Sequence, residues 1–127
     1  AGAIELGGRF SGGAEYPGLF EPVYFAYDSS QVSPAERVKI ESVSSMLKRD
    51  SAKSVIIDGH CDERGSIVYN QNLSEKRALA IRAYLVGLGV ASERIQTRGF
   101  GEEAPAIPGH NEAAWSKNRR GEFVLYY

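Results

Sequence analysis

The chain has 127 residues, 43% of them apolar and 24% charged, which fits one globular domain with a single core. A net charge of −1 excludes a global basic field for nucleic acid or anionic lipid, and no apolar run approaches the roughly eighteen residues of a spanning helix. One cysteine excludes an internal disulfide framework and a cysteine-built zinc knuckle. The first residue is Ala1, so the chain reads as a processed or trimmed form whose targeting segment is missing.

Residues 1–22 differ from the rest. They hold six of the 14 glycines, with Pro17 and Pro22 and a scatter of Ile4, Leu6, Phe10, Tyr16 and Phe20. Glycine loses the most backbone entropy on ordering, so this stretch reads as a tether or an arm along the domain, pinned by Phe10 and Phe20. The folded domain is expected over 23–127. Val23 to Tyr27 is β-branched and aromatic, and reads as a strand. Ser33-Pro34-Ala35-Glu36 has the pattern of a helix start, and the helix runs to about Arg49 with Val38, Val43, Met46 and Leu47 facing inward.

Val55-Ile56-Ile57 fits a strand buried on both faces, ending at Asp58-Gly59. A polar loop, 60–72, precedes a second helix from Ser74 to Leu88, with Ala78, Ile81, Leu85 and Leu88 at helical spacing and Gly89 as terminator. Ile95 to Gly99 is a third strand, Glu112 to Trp115 a helical turn, and Glu122 to Tyr126 a closing strand. The order β-α-β-α-β-β predicts an α+β sandwich: a mixed sheet of about four strands with two main helices on one face.

The densest polar constellation runs from Gly59-His60-Cys61-Asp62-Glu63-Arg64-Gly65 to Tyr69-Asn70-Gln71-Asn72-Leu73-Ser74-Glu75-Lys76-Arg77, where a buried strand hands over to a helix. With Ser74 as cap, Arg77 is the third residue of that helix. A cation there opposes the helix dipole by about 0.3–1 kcal/mol, which points to an anion completing the site. Arginine holds a carboxylate with two parallel bonds, and Asp62 offers the opposite sign. Together they suit a zwitterion. The alternative, an Asp62–Arg77 salt bridge pinning the loop, is favoured by composition and spacing alone.

These residues carry a resemblance. Val23-Tyr24-Phe25-Ala26-Tyr27-Asp28, the His60 to Arg64 stretch with Asn70, Leu73, Ser74 and Arg77, Gly99-Phe100-Gly101-Glu102 and Lys117-Asn118-Arg119-Arg120 resemble the OmpA-like peptidoglycan-binding domain. Pro105 to Arg120 favours its lipoprotein branch. The resemblance covers about the last hundred residues and implies non-covalent binding of diaminopimelate in the peptidoglycan stem peptide, without a cofactor or metal. It places the ammonium at Asp62 and the carboxylate at Arg77, with Tyr27, Asp28, Arg64, Asn70 and Leu73 lining the groove. It also implies a periplasmic location with an outer-membrane lipid anchor, although residue 1 is Ala rather than the lipid-bearing cysteine. A protein-interaction role with the periplasmic propeller protein TolB is the alternative.

Other chemistry is weaker. His60-Cys61-Asp62-Glu63 hints at a thiol enzyme or metal site, but no HExxH or CxxC supports it, and a packed thiol is the better account. Gly99-Phe100-Gly101 lacks the remainder of a phosphate loop. Lys117, Arg119 and Arg120 beside Trp115 read as a solvated or glycan-facing edge. A small hydrolase would need an acid–base pair or activated nucleophile that the spacing does not supply.

Overall fold

In chain order the elements are β1 (Ile4–Leu6), β2 (Glu15–Pro17), β3 (Val23–Tyr24), α1 (Arg37–Arg49, after a 3-10 turn over Pro34–Glu36), β4 (Ser54–Gly59), α2 (Ile67–Gly87), β5 (Ile95–Gly99), α3 (Glu112–Asn118) and β6 (Arg120–Tyr126). The computed structural model describes the backbone of residues 4–6 and all of residues 10–127. Residues 1–3 and 7–9 of the expected arm, with the side chains of Ile4 and Leu6, lie outside the described residues.

β4 sits at the middle of the sheet, as its unbroken apolar run requires: Val55, Ile56 and Ile57 are each at most 3% exposed. It pairs parallel with β5, and α2 supplies the crossover that parallel neighbours need. β6 returns antiparallel on its other side. The strand order is β1-β5-β4-β6-β2, with β3 also on β6. The sheet therefore has six strands rather than about four, because β1 and β2 add edges from the N-terminal stretch. Phe10 stacks on Tyr126, Tyr16 on Tyr127, and Phe20 packs edge-on to Phe123.

Alternation along β4 sends Val55 and Ile57 into one core with Ile40, Val43 and Leu47 of α1, Ala78, Ile81 and Leu85 of α2, and Phe123 of β6. Asp58 alternates to the opposite face, where Arg98 binds both it and Glu15 of β2.

Two helix expectations change. Val38 is 61% exposed, while Ile40, Val43, Ser44 and Leu47 form the buried stripe of α1. α2 begins at Ile67, capped by the Ser66 hydroxyl accepting from the Tyr69 N–H at 3.1 Å. The expected loop over 60–72 is thus half as long, and Arg77 lies in mid-helix. The helix-end argument for Arg77 does not hold.

Candidate functional site

The site forms where β4 ends against α2. Gly59 allows the close approach, since a Cβ there would collide with the Ser74 carbonyl oxygen. Beyond it, the Cys61 N–H donates to the Gly101 carbonyl at 2.7 Å and the His60 N–H to the Arg120 carbonyl at 2.8 Å. Asn70, 2% exposed, fixes the loop from within. Its amide donates to the carbonyls of Asp62 at 3.3 Å and Arg64 at 2.9 Å and to Glu102 Oε1 at 2.9 Å. Gly65, at φ +98°, turns the chain into α2.

All seven residues singled out from the sequence line one cleft: Tyr27, Asp28, Asp62, Arg64, Asn70, Leu73 and Arg77. Its volume is about 40 Å³, room for a few waters or the tip of an extended ligand. Cys61, Gly65 and Tyr69 complete the wall.

Arg77 is 1% exposed. Its guanidinium donates only to neutral backbone carbonyls: Nε to Ser29 at 2.8 Å, Nη1 to His60 at 2.9 Å and Nη2 to Ala26 at 3.2 Å. Three of its five donors are used, which leaves two without a protein partner among the described residues. Burial lowers its pKa, but an arginine stays protonated near neutral pH. A buried cation bonded to neutral groups alone is costly unless an anion joins it.

Asp62 is 4% exposed and already engaged. Its Oδ1 accepts from the Arg64 backbone N–H at 3.0 Å and Arg64 Nε at 3.2 Å, and its Oδ2 from Arg64 Nη2 at 2.8 Å. Arg119 Nη1 stands 3.7 Å from Oδ2. Burial alone would raise the Asp62 pKa, but these bonds and the two guanidinium charges hold it below the usual aspartate value. Among the described residues no ion pair joins Asp62 to Arg77; Asp62 pairs with Arg64 and, at longer range, with Arg119.

Arg64 lies between two aromatic rings, 4.0 Å from the Tyr27 centroid and 4.1 Å from that of Trp115. Trp115 donates to Glu63 Oε2 at 2.9 Å. Asp28, at φ +56°, accepts a hydrogen bond from the Tyr69 hydroxyl across the cleft mouth. Sequence reasoning passed over Tyr69, Trp115 and Arg119 as site residues. Trp115 and Arg119 lie some fifty residues further along the chain, and only tertiary packing brings them here.

The Cys61 thiol is buried and donates to the Asn70 carbonyl at 3.3 Å. Burial pushes its pKa up to about 11, so it is a packing group and not a poised nucleophile. His60 stacks on Phe100 on the opposite sheet face, and burial drives its pKa down to about 3.

The OmpA family profile matches residues 24–119. The chain belongs to the OmpA family. Among curated OmpA-family relatives, the peptidoglycan-associated lipoprotein of Haemophilus influenzae is 37% identical over 99% of this chain and 80% of its own length. That of Pseudomonas aeruginosa is 40% identical over 78% of this chain and 58% of its own length. The crystal structure of the Burkholderia pseudomallei peptidoglycan-associated lipoprotein superposes with a TM-score of 0.80 at 36% identity, covering 82% of this chain and 88% of that one. The Helicobacter pylori MotB C-terminal domain, at 19% identity and a TM-score of 0.76, shares the OmpA-type fold alone.

Proposed function

We propose that this OmpA-family domain binds peptidoglycan without turnover, by capturing the free amino-acid end of diaminopimelate in the stem peptide. The carboxylate joins Arg77 and the ammonium joins Asp62, while Tyr27, Asp28, Arg64, Asn70 and Leu73 shape the groove. The observation that carries this reading is the buried Arg77 guanidinium, held by neutral carbonyls with two donors to spare at the floor of a small cleft. The names of the Haemophilus and Pseudomonas relatives, peptidoglycan-associated lipoproteins, support peptidoglycan as the polymer. A cleft of about 40 Å³ takes the end of a side chain and leaves the polymer outside.

Charge-assisted hydrogen bonds contribute about 1.5–3 kcal/mol each, so one stem peptide binds in the micromolar-to-millimolar range. Many such contacts along one polymer, together with a lipid anchor in the outer membrane, would raise the effective concentration enough to link membrane and wall. Titration calorimetry with diaminopimelate-containing and lysine-containing stem peptides tests the receptor. Wild type should bind the former selectively, and Arg77→Lys, which keeps charge but loses the fork, should weaken it about tenfold or more. Equal binding of both peptides would sink the zwitterion receptor.

A second reading, docking of a TolB-like periplasmic protein, is favoured by one feature. Ile67, Val68 and Tyr69 stand exposed beside the cleft at 74%, 72% and 49%. On that reading partner and wall compete for one surface.

A further inference from the structure

We propose that Arg64 is a built-in occupant of the ammonium position on Asp62, so that only a ligand which also offers Arg77 a carboxylate displaces it. This rests on the receptor reading above. It follows from the acceptor capacity of the Asp62 carboxylate. A carboxylate has about four acceptor sites, and Arg64 takes three of them. Arg119 adds a second positive charge 3.7 Å away. An arriving ammonium therefore finds a single acceptor site, on Oδ2 beside the Arg119 guanidinium, and no uncompensated charge until the Arg64 side chain leaves.

The surroundings permit that exchange. Asp62 is fixed, its side chain 5% exposed, whereas that of Arg64 is 30% exposed. Asn70 holds the carbonyls of both residues, so the Arg64 side chain can swing while the loop backbone stays. Glu112 already accepts from Arg119 Nη1 at 2.8 Å, but its side chain is 67% exposed and its Oε1 stands 3.9 Å from Arg64 Nη2, so the released guanidinium can share that carboxylate. Tyr27 and Trp115 hold the resting position from both sides, so departure also gives up two cation–π contacts.

Exchanging one charge-assisted pair for another at Asp62 is close to neutral, so a simple amine gains nothing by entering. A simple carboxylate reaches Arg77 without any exchange. A zwitterion alone does both, the carboxylate supplying the free energy that drives Arg64 out. Arg64 thereby enforces two-point recognition.

Trp115, the one tryptophan of the chain, reports the position of Arg64. The experiment titrates meso-diaminopimelate, ethylamine and acetate into wild type, Arg64→Ala and Asp28→Asn, following heat and tryptophan fluorescence, with melting curves to check folding. The expected result is that Arg64→Ala binds diaminopimelate about tenfold tighter, gains ethylamine binding and leaves acetate affinity unchanged. In wild type, diaminopimelate shifts the fluorescence and acetate does not. Trp115→Phe, which loosens the bracket, should tighten diaminopimelate by a smaller factor in calorimetry.

Weaker diaminopimelate binding by a folded Arg64→Ala would overturn the proposal and make Arg64 a direct contact, with the receptor itself intact. Unchanged binding in Arg64→Ala with loss in Asp28→Asn would overturn it by moving the ammonium to Asp28. Binding by Arg64→Ala alone supports it in its strongest form. Failure of every protein to bind diaminopimelate overturns both this proposal and the receptor reading.

Discussion

Arg77 is a structural tie as well as a lining residue of the cleft. Its three bonds to the carbonyls of Ala26, Ser29 and His60 tie three chain segments together. Arg77→Ala should therefore lower stability by roughly 3 kcal/mol in denaturant unfolding, through unpaired carbonyls and a cavity. Asp62 works in the opposite pH direction from a buried neutral acid. Burial tends to raise its pKa, but its bonds to Arg64 and the nearby charges win and hold the folded value below 3.8. Its stabilising contribution is thus fully present above pH 3.8 and fades as pH falls through the lower folded value. Wild type should melt higher than Asp62→Asn near neutral pH, with the gap closing only below about pH 3.8. A gap already closed at pH 5 would mean that the pairing with Arg64 contributes little. Both residues stood out in the sequence as opposite charges flanking one loop. What stayed hidden was the engagement of each: carbonyls around Arg77, and Arg64 on Asp62.

At the scale of elements, the start of α2 shows why part of the fold escaped sequence reading. Its buried stripe is Asn70, Leu73, Ser74, Arg77, Ala78, Ile81 and Leu85, at helical spacing throughout. The first half of that stripe is mostly polar because it builds the site, so apolar periodicity becomes visible only from Ala78. The residues that do look apolar there, Ile67 and Val68, face outward at 74% and 72% exposure. In α1, Val38 is two residues from Ile40, about 200° around the helix and hence on the opposite side. β4 is legible from its β-branched run Val55-Ile56-Ile57, and β5 from β-branched residues at alternate positions, Ile95 and Thr97. The seam between β4 and α2 is tested by Gly59→Ala, whose Cβ meets the Ser74 backbone, against Gly121→Ala, whose Cβ collides with the terminal methyl of Ile81 and touches Phe25, side chains rather than backbone. The first should cost about 3 kcal/mol or more in unfolding and weaken ligand binding, the second distinctly less. Equal costs would mean that the helix shifts freely against the strand.

For the whole molecule, the sheet places the cleft at one end of its central strand, where β4, α2 and the β5–α3 connection converge on the loop after Gly59. The far-side clasp of Arg98 with Asp58 and Glu15 ties the N-terminal β2 to that frame. No described helix is long and apolar enough to cross a membrane. The proposed function has such domains attach to a polymer through many weak contacts. The most direct measurement is co-sedimentation of wild type, Asp62→Ala and Arg77→Lys with purified cell walls of diaminopimelate type and of lysine type. Retention of wild type on diaminopimelate walls only, reduced in both variants, is the predicted result. Equal pelleting of the three proteins on either wall, or none on both, would contradict a zwitterion receptor at Asp62 and Arg77.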